Sequence, residues 1–97
     1  MHRLEINDQY TSELLVEHAH TAAAFGSGDI LVFSTPMMIG LMENAALKCA
    51  ELKLEEGFST VGTMVHIKHM AATPVGQVVK ATAVLVEISD KKLVFEV

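Results

Sequence analysis

Apolar residues recur at Met38, Ile39, Met42, Ala45, Ala46, Cys49 and Leu52, the i, i+3, i+4 spacing of one buried helical face. The ends of that run are marked as well. Ser34 or Thr35 supplies an N-cap hydroxyl, Pro36 suits the first helical position, and Gly57 is a natural stop. The pattern predicts a helix of about 20 residues, near 30 Å long, enough to cross a small sheet. Past Gly57 the periodicity changes to that of a strand. Val61, Thr63, Val65, Ile67 and His69 alternate onto one face, and Gly62, Met64, His66 and Lys68 fall on the other. Thr73-Pro74-Val75-Gly76 marks a turn. Residues 77–88 read as a second strand with Val79, Ala81, Ala83, Leu85 and Glu87 on one face. Ser89-Asp90-Lys91-Lys92 reads as a hairpin turn, and a third strand begins at Leu93 and stops at Val97 in mid-pattern.

Upstream of the helix the pattern is weaker. His2 to Ile6 alternates as an edge strand would, and Leu14-Leu15-Val16 extends it or forms a separate short strand. Thr21 to Phe25 is ambiguous between a helical turn and a loop. Gly26-Ser27-Gly28-Asp29 is a loop, and Ile30 to Phe33 is a short apolar run of strand type. One long helix followed by an antiparallel run of strands gives the α+β class. At 97 residues the whole chain, 1–97, is expected to be one domain.

Composition narrows the function. Half the residues are hydrophobic (51%), yet Trp is absent and aromatics are only 5%, so Val, Leu, Ile, Ala and Met must build the core. A chain this short buries only about two thirds of its unfolded surface, which favours an oligomer. The net charge is -5 with no cluster of Lys or Arg, which argues against nucleic acid or an anionic membrane as partner. A phosphorylated ligand stays open, because one or two local cations or a helix N-terminus can hold a phosphate. The single cysteine, Cys49, sits in the predicted helix and reads as a small buried hydrophobe in a reducing compartment. No signal peptide and no run of about 20 apolar residues is visible, so the expected location is the cytoplasm.

Thr35, Glu43 and His69 carry the candidate chemistry. A hydroxyl, a carboxylate and an imidazole are the parts that acyl transfer or hydrolysis needs. Thr35 stands at the start of the helix, Glu43 two turns further in, and His69 on the strand. The helix N-terminus offers N–H groups and a positive dipole for a developing oxyanion, and the backbone at Gly62 is a second candidate. The plain structural readings stand beside these. Thr35 is what an N-cap alone requires, Glu43 fits a solvent edge, and His69 fits a hydrogen-bonded structural histidine. His18 and His20 lack a Cys or carboxylate companion, and His66 and His69 are three apart on a strand, so no metal site is expected. Gly26-Ser27-Gly28 precedes a strand and is not a dinucleotide fingerprint. Met37, Met38 and Met42 are core residues first, with a flexibility that also suits an acyl pocket.

Taken together, TPMMIGLMENAAL, TVGTMVHIKHMAATPVGQVV and GSGDILVFSTP resemble the hot-dog-fold thioesterases, in their fluoroacetyl-CoA thioesterase-like branch, from about Val16 to Val97. The family pattern is a Thr-Pro at the helix start, a Glu eight residues later, and a His twenty-six residues after the Glu. Thr35, Glu43 and His69 occupy those positions, and Thr60 to Thr63 also match. The resemblance implies a hot-dog fold, a long central helix wrapped by a curved antiparallel sheet, with the C-terminal strand missing from this chain. It implies an acyl-CoA thioesterase acting as a homodimer, with sites at the subunit interface. Thr35, Glu43 and His69 would be catalytic, and Gly62, Pro36 and Met42 would contact a small acyl-CoA. No cofactor is implied, since CoA belongs to the substrate. Two other readings remain open: an acyl-CoA-binding or assembly module without turnover, and an enoyl-CoA hydratase-like enzyme, disfavoured because its Asp-and-His pattern is not found.

Overall fold

The computed structural model describes residues 3–97. Three strands form an antiparallel sheet: β1 (Gln9–Leu15), β2 (Val78–Ser89) and β3 (Lys92–Glu96), in the order β1-β2-β3. A short helix, α1 (Ala22–Phe25), and the long helix α2 (Thr35–Glu51) lie between β1 and β2 in the chain. β1 and β2 pair from Gln9↔Val84 to Leu15↔Val78, and β2 turns directly into β3 through the Ser89↔Lys92 pair.

The helix sits on the sheet through small residues. Ala45 of α2 and Ala81 and Ala83 of β2 are buried together, with Leu41, Met42, Ala46 and Phe95 packed around them. Alanine on both faces lets the two backbones approach closely, which suits an aromatic-poor core. The Ser12 hydroxyl donates to Asn44 Oδ1 at 2.8 Å and ties β1 to the same helix. Leu4, Val16, Phe33, Cys49, Ala50 and Leu85 complete the buried apolar set. At the far end of α2, Lys53 Nζ meets Asp8 Oδ1 at 2.9 Å and holds the N-terminal segment against the helix.

Several sequence expectations shift. The first strand is Gln9–Leu15 rather than the run to Ile6; Leu14 and Leu15 belong to it, Val16 does not, and His2 lies outside the described residues. Thr21–Phe25 resolves as a helical turn, α1, with the Thr21 hydroxyl accepting from the Ala24 N–H. Ile30–Phe33 makes no strand, only isolated bridges Thr21↔Phe33 and Val32↔Pro74. α2 has 17 residues and ends at Glu51, short of Gly57, so Leu52 is exposed while Ala50 is buried. The chain turns over residues 52–57 instead, and Gly57 takes a φ of 89° there, which a side chain would resist. In β2 a register shift between Leu85 and Glu87 breaks the alternation and leaves Glu87 exposed.

The largest departure is the predicted strand at 61–69. This stretch forms no strand, and among the described residues no backbone group of residues 59–72 is hydrogen-bonded to another backbone group. Its alternation is that of a strand, but among the described residues no neighbouring strand pairs with it. β3 stands at one edge of the sheet.

Candidate active site

The start of α2 divides its labour between adjacent hydroxyls. Ser34 is the N-cap, and its Oγ accepts from the Met37 N–H at 3.2 Å. Thr35 is the first helical residue, with Pro36 after it. Because Ser34 caps the helix, the Thr35 hydroxyl is released from that duty and meets His69 Nδ1 at 2.8 Å. Which of the two atoms donates depends on the histidine tautomer. Both residues are half-buried, so the contact is partly shielded from water.

The same capping removes donors from the helix start. Met37 N–H is used by Ser34 Oγ, Met38 N–H by the Ser34 carbonyl, and Pro36 has no N–H. The helix end therefore offers its dipole, the Thr35 hydroxyl and the Thr35 N–H, which has no backbone partner among the described residues, rather than a full row of free N–H groups. The Gly62 N–H likewise has no backbone partner among the described residues and is a second candidate amide donor.

Glu43 lies eight positions along α2, about 12 Å from Thr35 by helical rise. Its carboxylate rests against Gly62, so closely that a Cβ there would run into Oε2. Glu43 is exposed and has no hydrogen-bond or ion-pair partner among the described residues. Two open clefts meet at Glu43, Ala46 and Phe95. One, of about 630 Å³, runs toward Ser59–Thr63 and the β2–β3 hairpin. The other, of about 480 Å³, is lined by Ile39, Met42, Val65, His66 and Ile67.

The sequence-predicted residues thus fall into two groups. Thr35 and His69 form one hydrogen-bonded pair, and Glu43 and Gly62 form a second contact. Met42 lines the smaller cleft and touches the core; Pro36 lines neither cleft. His66 faces the smaller cleft, apart from His69. His20 Nδ1 accepts from the Glu17 N–H at 3.0 Å, a local role that sequence did not suggest. Among the described residues no group of three or more His, Cys, Asp or Glu could hold a metal ion. Sequence reasoning missed Lys91 and Lys92 at the larger cleft; two adjacent cations in an acidic chain were the available signal.

One long helix laid on an open antiparallel sheet is the architecture of the hot-dog fold. The chain belongs to the fluoroacetyl-CoA-specific thioesterase family (FlK), matching it over residues 16–97. A fluoroacetyl-CoA thioesterase of Streptantibioticus cattleyicolor is 39% identical over 66 residues, covering 68% of this chain and 48% of that protein. The chain spans about half the length of that curated relative. The solved fluoroacetyl-CoA thioesterase FlK superposes with a TM-score of 0.84 at 29% identity, over 93% of this chain and 71% of that one. A variant of FlK in complex with fluoroacetate and CoA gives 0.83 at 30% identity, over 93% and 77%. No helix among the described residues is long and apolar enough to cross a membrane.

Proposed function

We propose that this chain hydrolyses the thioester of a small acyl-CoA. The observation that carries the proposal is the 2.8 Å contact between Thr35 Oγ1 and His69 Nδ1, made across 34 positions of sequence. A hydroxyl that only capped the helix would not need an imidazole, and Ser34 already caps it.

In this reading Thr35 holds or attacks the thioester carbonyl while His69 moves its proton. The Gly62 N–H stabilises the developing oxyanion. Glu43 activates water, or attacks the carbonyl itself, from the other side of the acyl group. The backbone positions of Thr35 and Glu43 are about 12 Å apart, a span that two side chains and a bound acyl group fill. His69, once it carries the proton as imidazolium, gives it to the departing thiolate and returns to neutral imidazole.

The site is proposed to lie between two copies of the chain. Residues 59–72 expose an unpaired strand-like edge, and Val61, Met64 and Met70 on it are more than four-fifths exposed (84%, 87% and 87%). The radius of gyration is 14.7 Å, against about 12.5 Å for a compact chain of this length, so the fold is open as a monomer. A second copy pairing along this edge would cover it and steady both His69 and Gly62.

A thiol-release assay on acetyl-, fluoroacetyl-, propionyl- and butyryl-CoA tests the reading. Released CoA from wild type, lost with Glu43→Gln and His69→Ala, supports it. Saturable CoA binding with no thiol release across the panel would instead favour a binding module.

A further inference from the structure

The larger cleft joins Glu43 and Gly62 at one side to Lys91 and Lys92 at the other. We propose that Lys91 and Lys92 anchor the phosphates of the CoA moiety, so that the cleft orients the substrate with its thioester toward Glu43. This inference rests on the acyl-CoA reading above and extends it to how the ligand is aligned.

Charge is the first argument. The protein carries seven Lys and Arg against twelve Asp and Glu, so its general field repels a polyphosphate. Lys48, Lys53 and Lys80 are already in ion pairs with Glu51, Asp8 and Glu13. Lys91 and Lys92 are in none among the described residues, and both are exposed. Asp90 beside them and Glu43 across the cleft are the acids in view. The two ammonium groups are thus the uncommitted positive charges at this cleft.

Geometry is the second argument. Neighbouring residues on a strand point to opposite faces, so two consecutive lysines rarely serve one site. Here Lys91 lies in the turn and Lys92 opens β3, and both line the same cleft. The Ser89 hydroxyl donates to the Lys92 carbonyl across that turn at 3.4 Å. The rest of the lining mixes uncharged polar groups, Asn44, Ser59, Thr60 and Thr63, with apolar ones, Leu47, Val61, Leu93 and Phe95. That mixture, with cations at the hairpin and a carboxylate at the helix, suits a ligand with a phosphate end, an amide-bearing arm and a reactive acyl end. A lysine pair can also serve merely to keep an edge strand soluble, and the test separates that role from binding.

Calorimetry and kinetics on the full chain compare CoA with pantetheine, and acetyl-CoA with S-acetyl-pantetheine, which lacks the phosphates. Lys91→Gln with Lys92→Gln is expected to weaken CoA binding and raise the KM for acetyl-CoA by about tenfold or more, given charge-assisted contacts at a partly exposed site. Pantetheine binding and S-acetyl-pantetheine kinetics should not change. Lys91→Arg with Lys92→Arg should retain CoA affinity, and Lys68→Gln should leave it unaltered. Added salt should weaken CoA binding to wild type more than to the double Gln variant. The proposal is overturned if the double Gln variant binds CoA as wild type does, or if Lys68→Gln costs as much. Turnover with an unchanged acetyl-CoA KM in the double variant would sink the anchor and leave the thioesterase reading standing. CoA binding that depends on both lysines, without any thioester cleavage, would do the reverse.

Discussion

Two parts of this molecule carry the candidate site, and they are built differently. α2 lies on β1 and β2 through buried alanines, a hydroxyl-to-asparagine bond and an ion pair beyond its end. Residues 59–72 run over the same helix without a backbone partner among the described residues and with Val61, Met64 and Met70 in solvent. What locates that segment is contact with the site itself: His69 on the Thr35 hydroxyl, and Gly62 against the Glu43 carboxylate. The helix delivers Thr35 and Glu43 ready-placed by packing. The segment delivers His69 and Gly62 with the precision of two side-chain contacts. Placement by packing on one side and by two side-chain contacts on the other is the lesson of the contrast.

The largest effect should come from the rigid side. Glu43→Gln is expected to lower thioester turnover by about 10²–10⁴-fold, because Gln keeps the shape but neither accepts a proton nor attacks. Its melting temperature should stay near wild type, since the carboxylate is exposed and unpartnered among the described residues. Steady-state kinetics with thermal melts check both halves; wild-type-like turnover would remove Glu43 from the mechanism. Next in size is the packing contrast. Ala83→Leu, on a fully buried face, should cost about 1–3 kcal/mol by overpacking. Met64→Lys, on the exposed segment, should change the stability of the single chain by only about 0.5 kcal/mol. It should nonetheless weaken self-association, measured by sedimentation; equal losses of stability from both substitutions would erase the distinction between the two regions.

Smaller still is the division between neighbouring hydroxyls. Ser34→Ala should cost about 1 kcal/mol as a lost cap. Thr35→Ala should spare more of the stability and impair turnover instead. Reversal of that order in denaturant melts would return Thr35 to a structural role. The smallest effect concerns acid. The Glu5 backbone N–H and the Lys53 ammonium hold the Asp8 carboxyl below its ordinary value of 3.8. A depressed carboxyl contributes stability that is present above the unfolded value and is lost as pH falls through the folded one. Melting temperatures taken downward from pH 5 should therefore drop more steeply for wild type than for Asp8→Asn, and the two curves should converge at the acid end. Parallel curves would show that the contact is not coupled to folding.

The helix and the β2–β3 hairpin were legible because their signals are local. A 3.6-residue apolar period, a Ser-Thr-Pro start and a two-residue turn each declare themselves within one segment. Even so, which hydroxyl caps could not be read, because Ser34 and Thr35 are both good caps and only His69, 34 positions on, distinguishes them. The alternation from Val61 to His69 was read correctly as a pattern and incorrectly as a strand. Periodicity reports what a segment is suited to pair with, whereas a strand exists only where a neighbour supplies the bonds. The Leu85–Glu87 shift was invisible for a similar reason, since the extra residue has meaning only against β3. Thr35 and His69 were singled out by their chemistry and by the family pattern their positions resemble, and they lie in contact. The Glu43–Gly62 approach and the lysines of the hairpin depend on how the segment folds back over α2.

Cys49, the one thiol, lies in the last turns of α2 and is almost wholly enclosed. Burial chiefly, with the negative charge of Asp8, pushes its pKa above the ordinary value. Reagents that attack thiolates therefore find almost nothing to react with while the helix is seated. The residue is a built-in reporter: its alkylation is expected to follow how often the packing around it opens. Timed labelling, with and without acyl-CoA, would count those excursions one molecule at a time and tell whether filling the cleft slows them.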